Sequence, residues 1–561
     1  MGVFIKVTKS GPRRYVQLVE SFREDGRVKQ RTLASLGRLE RIAPEVESIV
    51  GGLRRLVSGQ EKAEAIDPAL VDFAPARALG DVWTLDALWK SFGLDRLDDV
   101  FRRRGSRRRT AVEAMLRVMV FNRLCDPASK LGILRWLEST SVPGVDAGAV
   151  RHQHLLRAMD ALIEHHGAVD ELVAELLLPH VDTELSAVFY DLTTIRAEGL
   201  SEQEGDVRRH GMSKEGGIRR QFVLGVVQTA EGLPLHHEVH EGNVAEVRTL
   251  KGTLERVMGR FPIRRVIAIA DRGLMSADNL TELSTMTTPS GAPLEYVLAV
   301  PGRRYGDFVE LVAPLQAERF DEATTEAVGE LTWNERRLIV AHDPERAAER
   351  TARRRETIAA LEGQASEWVG KLDGQDRGKR GRGRPLSDGG VRAKFYHAVL
   401  EARLGNIIRV DLKSERFSYS IDEKAMRLAE LMDGKLLLVT NVTDLGAEEI
   451  VERYKALADI ERGFRVLKSE IEIGPVHHRL PDRIRAHASV CFLALILHRL
   501  MRGKLRAAKS ALSPERAIDL LGRIQHHQVK LGGRLHEGVT TLTGEQSELL
   551  DVLGAEKPVL A

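Results

Sequence analysis

The chain has 561 residues, 43% hydrophobic and 29% charged, with a formal net charge of +3. That length and composition give a globular protein of several domains with real cores, and they exclude an extended disordered chain. Two widely separated cysteines, Cys125 and Cys491, exclude a disulfide framework or a cysteine zinc site and fit a reducing compartment.

The opening residues, MGVFIKVTKSG, have no long apolar core, so no signal peptide is expected. The longest apolar run, Cys491 to Leu497, is far below the ~20 residues of a membrane span. A cytosolic protein is expected. Residues Arg14 to Leu33 read as a β-hairpin around Asp25-Gly26, with a basic returning strand carrying Arg27, Lys29 and Arg31. Leu39 to Leu56 has the period of a linker helix. Residues 78–180 are helix-dominated. Thr110 is expected to cap a helix through Asn122, and Asp126-Pro127 to open the next one, PASKLGILRWLEST. Two short helices across a tight turn, preceded by RRRGSRRR, resemble a helix-turn-helix.

Near Glu184 the pattern changes to strands. LSAVFYD ends in Asp191. QFVLGVVQT and LPLHHEVH follow, joined by a turn at Glu231-Gly232. After a helix from Ala245 to Met258, RRVIAIAD ends in Asp271. Three antiparallel strands, a helix and a strand form the opening order of a ribonuclease-H-like fold, whose first and fourth strands are neighbours. Asp191 and Asp271 would then project from adjacent strand ends. Either aspartate alone could simply serve a turn. Together they repel unless a cation lies between them, and hard oxygen ligands on one edge favour Mg²⁺ or Mn²⁺ over zinc. Two such ions about 4 Å apart can activate a water or 3′-hydroxyl and stabilise the leaving oxygen of a phosphodiester.

Residues 303–435 interrupt this pattern, with strands near 328–341 and 406–421 and a basic helix and loop at 344–387. Arg382-Gly383-Arg384-Pro385 resembles an AT-hook core, an extended arginine segment suited to a narrow minor groove; a flexible basic linker has the same composition. KLLLVTN, Lys435 to Asn441, reads as a buried strand. The helix from about Glu448 to Glu470 carries an apolar stripe, with Tyr454, Glu461 and Lys468 spaced by seven beside it and Arg465 one turn from Glu461. Ordinary i,i+4 charge pairing also produces such an edge. His236/His237 and His477/His478 lack a third ligand at usable spacing, and His487 opens a long buried helix. A last helix, SPERAIDLLGRIQHH, has a Ser-Pro cap.

Phe189-Tyr190-Asp191, Ala270-Asp271-Arg272-Gly273 and Tyr454…Glu461…Lys468 resemble the DDE transposases of bacterial insertion sequences, specifically the group with a Y-x2-R-x3-E-x6-K signature. Leu457 stands where that signature has Arg; Arg453, Lys455 or Arg465 are the nearby cations that could replace it. The N-terminal hairpin, NRLCDPASK, Gly242-Asn243 and the VHHR–AHASVCFLAL run share the likeness. The resemblance implies an α/β RNase-H-like catalytic core interrupted by a β-rich insertion, with an N-terminal hairpin and a helical DNA-binding region. The expected divisions are 1–60, 61–180, 181–302, 303–435, 436–505 and 506–561. It implies Asp191, Asp271 and Glu461 as the catalytic triad holding two Mg²⁺ (or Mn²⁺) ions. It implies that Tyr454 and Lys468 contact DNA near the scissile phosphate; Arg465, as a replacement for the signature Arg, and Arg382 and Arg384 of the AT-hook-like segment are further candidates for DNA contact. It further implies cleavage at terminal inverted repeats, strand transfer into target DNA, and a homodimer on paired ends. A transposase-derived DNA-binding protein and a related metal-dependent nuclease share the same residues.

Overall fold

The computed structural model describes residues 3–10, 13–24, 27–38, 71–103, 111–181, 185–214, 216–244, 249–261, 265–270, 277–288, 290–377, 385–456, 464–531 and 534–559. The chain forms two compact units. One comprises Met1–Arg264, Thr288–Ser290 and Leu457–Ala561; the other comprises Arg265–Thr287 and Gly291–Ala456. The expected linker helix at 39–56 lies outside the described residues.

The first unit opens with an antiparallel sheet of β1 (Val3–Ser10), β2 (Arg13–Glu24) and β3 (Arg27–Arg38), in that order. The expected hairpin is β2–β3. β1 is an addition to the expected hairpin. Next come β4 (Val71–Phe73), β5 (Arg77–Ala78) and six helices: α1 (Gly80–Phe92), α2 (Leu97–Arg103), α3 (Val112–Cys125), α4 (Lys130–Glu138), α5 (His152–Glu164) and α6 (His166–Leu177). α4 starts three residues later than Pro127 suggested. Ser129 is its cap, its Oγ accepting from the Gly132 N–H at 3.0 Å. Pro127 sits in the turn, which the Asn122 side chain spans by donating to the Asp126 carbonyl (2.8 Å) and accepting from the Ala128 N–H (3.1 Å).

β6 (Leu185–Arg196), β7 (Arg209–Met212), β8 (Ile218–Thr229) and β9 (Pro234–Glu241) follow, then α7 (Leu250–Arg260). β8 pairs antiparallel with β6 along one edge. On its other edge β7 and β9 lie end to end, β7 opposite Ile218 to Gln221 and β9 opposite Phe222 to Gln228. Glycine is required where they meet. A Cβ on Gly242 would lie 1.9 Å from the Gln221 carbonyl oxygen, and one on Gly211 2.3 Å from that of Gly242. β6 does not end at Asp191 as its apolar run suggested. β-branched Thr193, Thr194 and Ile195 carry it to Arg196, so the aspartate sits within the strand, opposite Val226.

The second unit contains β10 (Arg265–Ala270), α8 (Ala277–Thr285), β11 (Glu295–Ala299), α9 (Val309–Leu315), β12 (Ala327–Trp333) and β13 (Arg336–His342). It continues with α10 (Pro344–Asp376), α11 (Asp388–Glu401), β14 (Ile408–Val410), β15 (Tyr419–Ile421), α12 (Glu423–Met432), β16 (Lys435–Thr440) and α13 (Ala447–Lys455). Its sheet runs β12-β13-β16-β11-β10, with β10 and β11 parallel across the α8 crossover and the other pairs antiparallel. The fold is mixed α/β, as expected of an RNase-H-like core. The segment 303–435, however, is mostly helical rather than β-rich. β12 and β13 join the sheet of β16. The 33-residue α10 comes next, then α11 and α12, with only the short β14–β15 pair between those two helices. Ala, Glu and Arg dominate α10, strong helix formers started by the Asp343 cap. Ile358, Leu361 and Ala365 of α10 bury themselves with Phe395, Val399, Ile407 and Ile408.

The first unit resumes with a π-helical turn at Val466–Glu470, then α14 (Pro481–Ala507), α15 (Pro514–Leu521), β17 (Gln525–Leu531), β18 (Arg534–Val539) and α16 (Gly544–Leu553). α14 is long and apolar enough to cross a bilayer by composition, but 83% of its most apolar window is buried in the fold. It packs on α3, α5 and β9, and His237 of β9 stacks on its Phe492, ring centroids 4.3 Å apart. The tail is not wholly helical. α15 has its expected Ser513 cap but ends at Leu521, and the RIQHH segment feeds β17, which pairs with β18, β4 and β5.

Gly242→Ala should cost about 1–3 kcal/mol or more, because the new Cβ meets backbone rather than a movable side chain. Denaturant unfolding monitored by circular dichroism measures it, with exposed Gly259→Ala, where a Cβ meets nothing within 4 Å, as the contrast.

Candidate active site

Aspartate is depleted from strands because its short polar side chain competes for backbone hydrogen bonds. β6 nonetheless carries Asp191 between Tyr190 and Leu192, both fully buried. The Asp191 side chain is 14% exposed. One of its oxygens accepts from the Leu192 N–H at 2.7 Å, and Lys214 brings its ammonium to 3.4 Å from the same oxygen. Tyr190 bonds the other way, its hydroxyl donating to Thr249 Oγ1 at 2.7 Å, and burial pushes that phenol's pKa up. Asp191 is therefore held by its own backbone and by a cation.

Asp271, Glu461, Arg382 and Arg384 lie outside the described residues. Tyr454 belongs to α13 in the second unit and is buried. Arg465 and Lys468 belong to the first unit, Arg465 exposed and Lys468 half-buried within the π-helical turn. Such turns recur at functional sites. Of the cations that could replace the signature arginine, Arg453 is bonded to Glu449 at 2.9 Å and Lys455 is ion-paired with Glu326. Arg465 and Lys455 are both exposed.

Within the first unit, the end of β6 is tied to the stretch after that turn. The Val476 N–H donates to the Arg196 carbonyl at 2.9 Å, and the Glu198 N–H to the Val476 carbonyl at 2.8 Å. Fully buried Arg208 reinforces the link. It pairs with Asp206 at 2.7 Å and donates to the carbonyls of Ser201, His478 and Arg479. Arg123 of NRLCDPASK donates to the carbonyls of Ile471 and Glu472, at 3.4 and 3.1 Å. Beside it Lys130 is buried, and desolvation with Arg123's charge pushes its ammonium down to about 7. NRLCDPASK and VHHR thus act as braces for β6 and the π-helical turn. Composition did not mark Lys214, Arg208 or Asp206. The signal that could have found Lys214 is a lysine just before Gly216-Gly217, between two strand runs.

His487 is a braced core side chain, Nε2 2.8 Å from the Ile473 carbonyl. His236 is buried against Arg260, and burial with the neighbouring His237 and Arg260 pushes it down to about 2. Among the described residues, Glu470, His498 and Glu515 form a group whose potential ligand atoms all lie within 4.8 Å. Its geometry is that of an imidazole clamped by two carboxylates, His498 Nε2 lying 3.1 Å from Glu470 and 2.8 Å from Glu515.

Two family models match the chain. The transposase DDE domain matches residues 182–497, more than half of it, and the N-terminal domain of the IS1634 family transposases matches residues 5–69. No curated protein matches it.

His498 is 3% exposed, and although burial works against its charge, the bonds to Glu470 and Glu515 raise its pKa above the ordinary histidine value. A raised folded-state pKa stabilises the fold below the unfolded value of about 6.5 and loses that stabilisation as pH climbs through the folded one. Thermal melts from pH 6 to 9 should show wild type losing on the order of 1 kcal/mol more than His498→Gln, a small figure because both glutamates remain partly in solvent. Separately, Arg208→Met leaves the buried Asp206 with Arg220, 3.2 Å away, as its remaining cation and should cost about 1–3 kcal/mol in denaturant unfolding.

Proposed function

The chain belongs to the DDE transposases of insertion sequences, divalent-metal-dependent enzymes acting on DNA, and from that premise we propose that Asp191, Asp271 and Glu461 are its catalytic acids. The observation that carries this reading is Asp191, a carboxylate set inside a buried strand of the matched domain and already answered by a cation. Support for the other two acids is their position in the sequence: Asp271 directly after β10, and Glu461 spaced by seven from both Tyr454 and Lys468, the pattern of the Y-R-E-K group.

The donor set fits two Mg²⁺ ions, since all three groups are hard carboxylate oxygens and none is a thiolate or imidazole. When bound, the ions would activate a water or 3′-hydroxyl and stabilise the leaving oxygen at a phosphodiester. The protein supplies placement. β6, fixed on β8 and braced by Arg208, holds Asp191 in one position. Lys468, Arg465 and Tyr454 would bear on the DNA near the cut, with Arg465 taking the role of the missing signature arginine. The β1–β3 sheet, residues 61–180 and Arg382–Arg384 would bind the terminal inverted repeats. The reaction is cleavage at those repeats followed by strand transfer into target DNA, carried out in the cytosol by a homodimer holding paired ends.

The test is incubation of purified protein with a supercoiled plasmid carrying the DNA that flanks its gene, with Mg²⁺ or EDTA, beside Asp191→Asn and Asp271→Asn. Metal-dependent cuts at flanking repeats and joined products are expected from wild type, with a loss of about 10³-fold or more in either variant while DNA binding remains. Cutting unchanged in both variants would move the active site elsewhere.

A further inference from the structure

β7 and β8 are joined by a turn that delivers one lysine to Asp191. The Ser213 N–H donates to the Gly217 carbonyl and the Gly216 N–H to the Ser213 carbonyl, each at 2.9 Å. Gly216 and Gly217 take φ of +95° and +78°, left-handed values that only glycine adopts freely. Lys214 is then anchored at both ends. Its backbone N–H donates to Thr194 Oγ1 at 3.1 Å, and its ammonium donates to the Leu192 carbonyl and lies 3.4 Å from Asp191 Oδ1.

This pair differs from an ordinary surface ion pair, whose worth is small because water screens it. Asp191 is only 14% exposed, whereas Lys214 is 41% exposed and has somewhere to go. A magnesium ion takes carboxylate oxygens at about 2.1 Å. An ammonium 3.4 Å from the same oxygen occupies the approach such an ion needs, and two cations a few ångströms apart at a half-buried site repel strongly.

We propose that Lys214 is the resident counter-ion of Asp191, holding the carboxylate's charge in the metal-free protein and yielding to a divalent cation when one binds. The inference rests on the reading of Asp191 as a metal ligand. Metal affinity before DNA arrives is thereby kept low. The ammonium released from Asp191 remains tethered by the Ser213–Gly217 turn beside the site, where an incoming phosphate can take it up. Loading of metal and of DNA then favour each other through one side chain.

The experiment is Mn²⁺ binding to the full-length, DNA-free protein, read from the paramagnetic resonance signal of free Mn²⁺. Wild type, Lys214→Met, Lys214→Arg, Asp191→Asn and the Lys214→Met/Asp191→Asn double variant are compared. Lys214→Met should bind Mn²⁺ about tenfold tighter than wild type, and Lys214→Arg should stay within about twofold of it. Asp191→Asn should weaken binding, and adding Lys214→Met to it should change nothing further. Unchanged or weaker binding in Lys214→Met, with Asp191→Asn still impaired, overturns the counter-ion role alone. Unimpaired binding in Asp191→Asn overturns the metal-ligand reading and the proposal with it. Should Lys214→Met not fold, Lys214→Gln replaces it with the same expectation.

Discussion

A carboxylate on a strand with buried neighbours is unstable there unless something answers its charge. That constraint organises the first unit. β6 is hydrophobic on both sides of Asp191, so the aspartate keeps little water, and Lys214 and the Leu192 N–H supply what water would have. Holding a poorly hydrated charge in one place then demands a rigid strand. The antiparallel ladder with β8, the bonds from Val476 to Arg196 and Glu198, and the buried Arg208–Asp206 pair all act on β6 or on the segment that leaves it.

Asp191 and the cations proposed to serve the site stand on different types of structure. Asp191 stands on a strand whose backbone is hydrogen-bonded along its length. Lys214 stands on a turn, and Lys468 on a π-helical turn, where the helical ladder is already loosened. Precision comes from the sheet, and adjustment from elements with fewer constraints. Arg208 and Arg123 serve that division by bonding to carbonyls of the segments they brace, as planar guanidinium groups with several donors can.

Much of this is legible in the sequence where the signal is local. The order β6, β8, β9, α7, β10 follows from short apolar runs separated by turn residues, and Asp191 is visible as a charge in such a run. The illegible part depends on partners distant in the chain. Lys214 gains meaning only once the hairpin folds it back on a strand 23 residues earlier. β6 looks too short in sequence because Thr193 and Thr194 are polar there, yet they serve as β-branched strand residues. The resemblance implies a β-rich insertion at 303–435, whereas Ala, Glu and Arg propensities over the 33 residues of α10 make that segment mostly helical.

The closure of the first unit has a consequence for how the chain is made. Val529 to Leu531 of β17 pair with Val71 to Phe73 of β4, and the Trp83 indole donates to the carbonyl of Glu556. The helices that follow β4 are thus sealed by residues synthesised long after them. The stretch 291–456 is nearly continuous in the second unit and can settle while synthesis proceeds. The first unit is completed only after α14, which packs on α3 and α5, and then β17 and the Glu556 segment have been made. Termination near residue 525 would leave out the strand that pairs with β4 and β5.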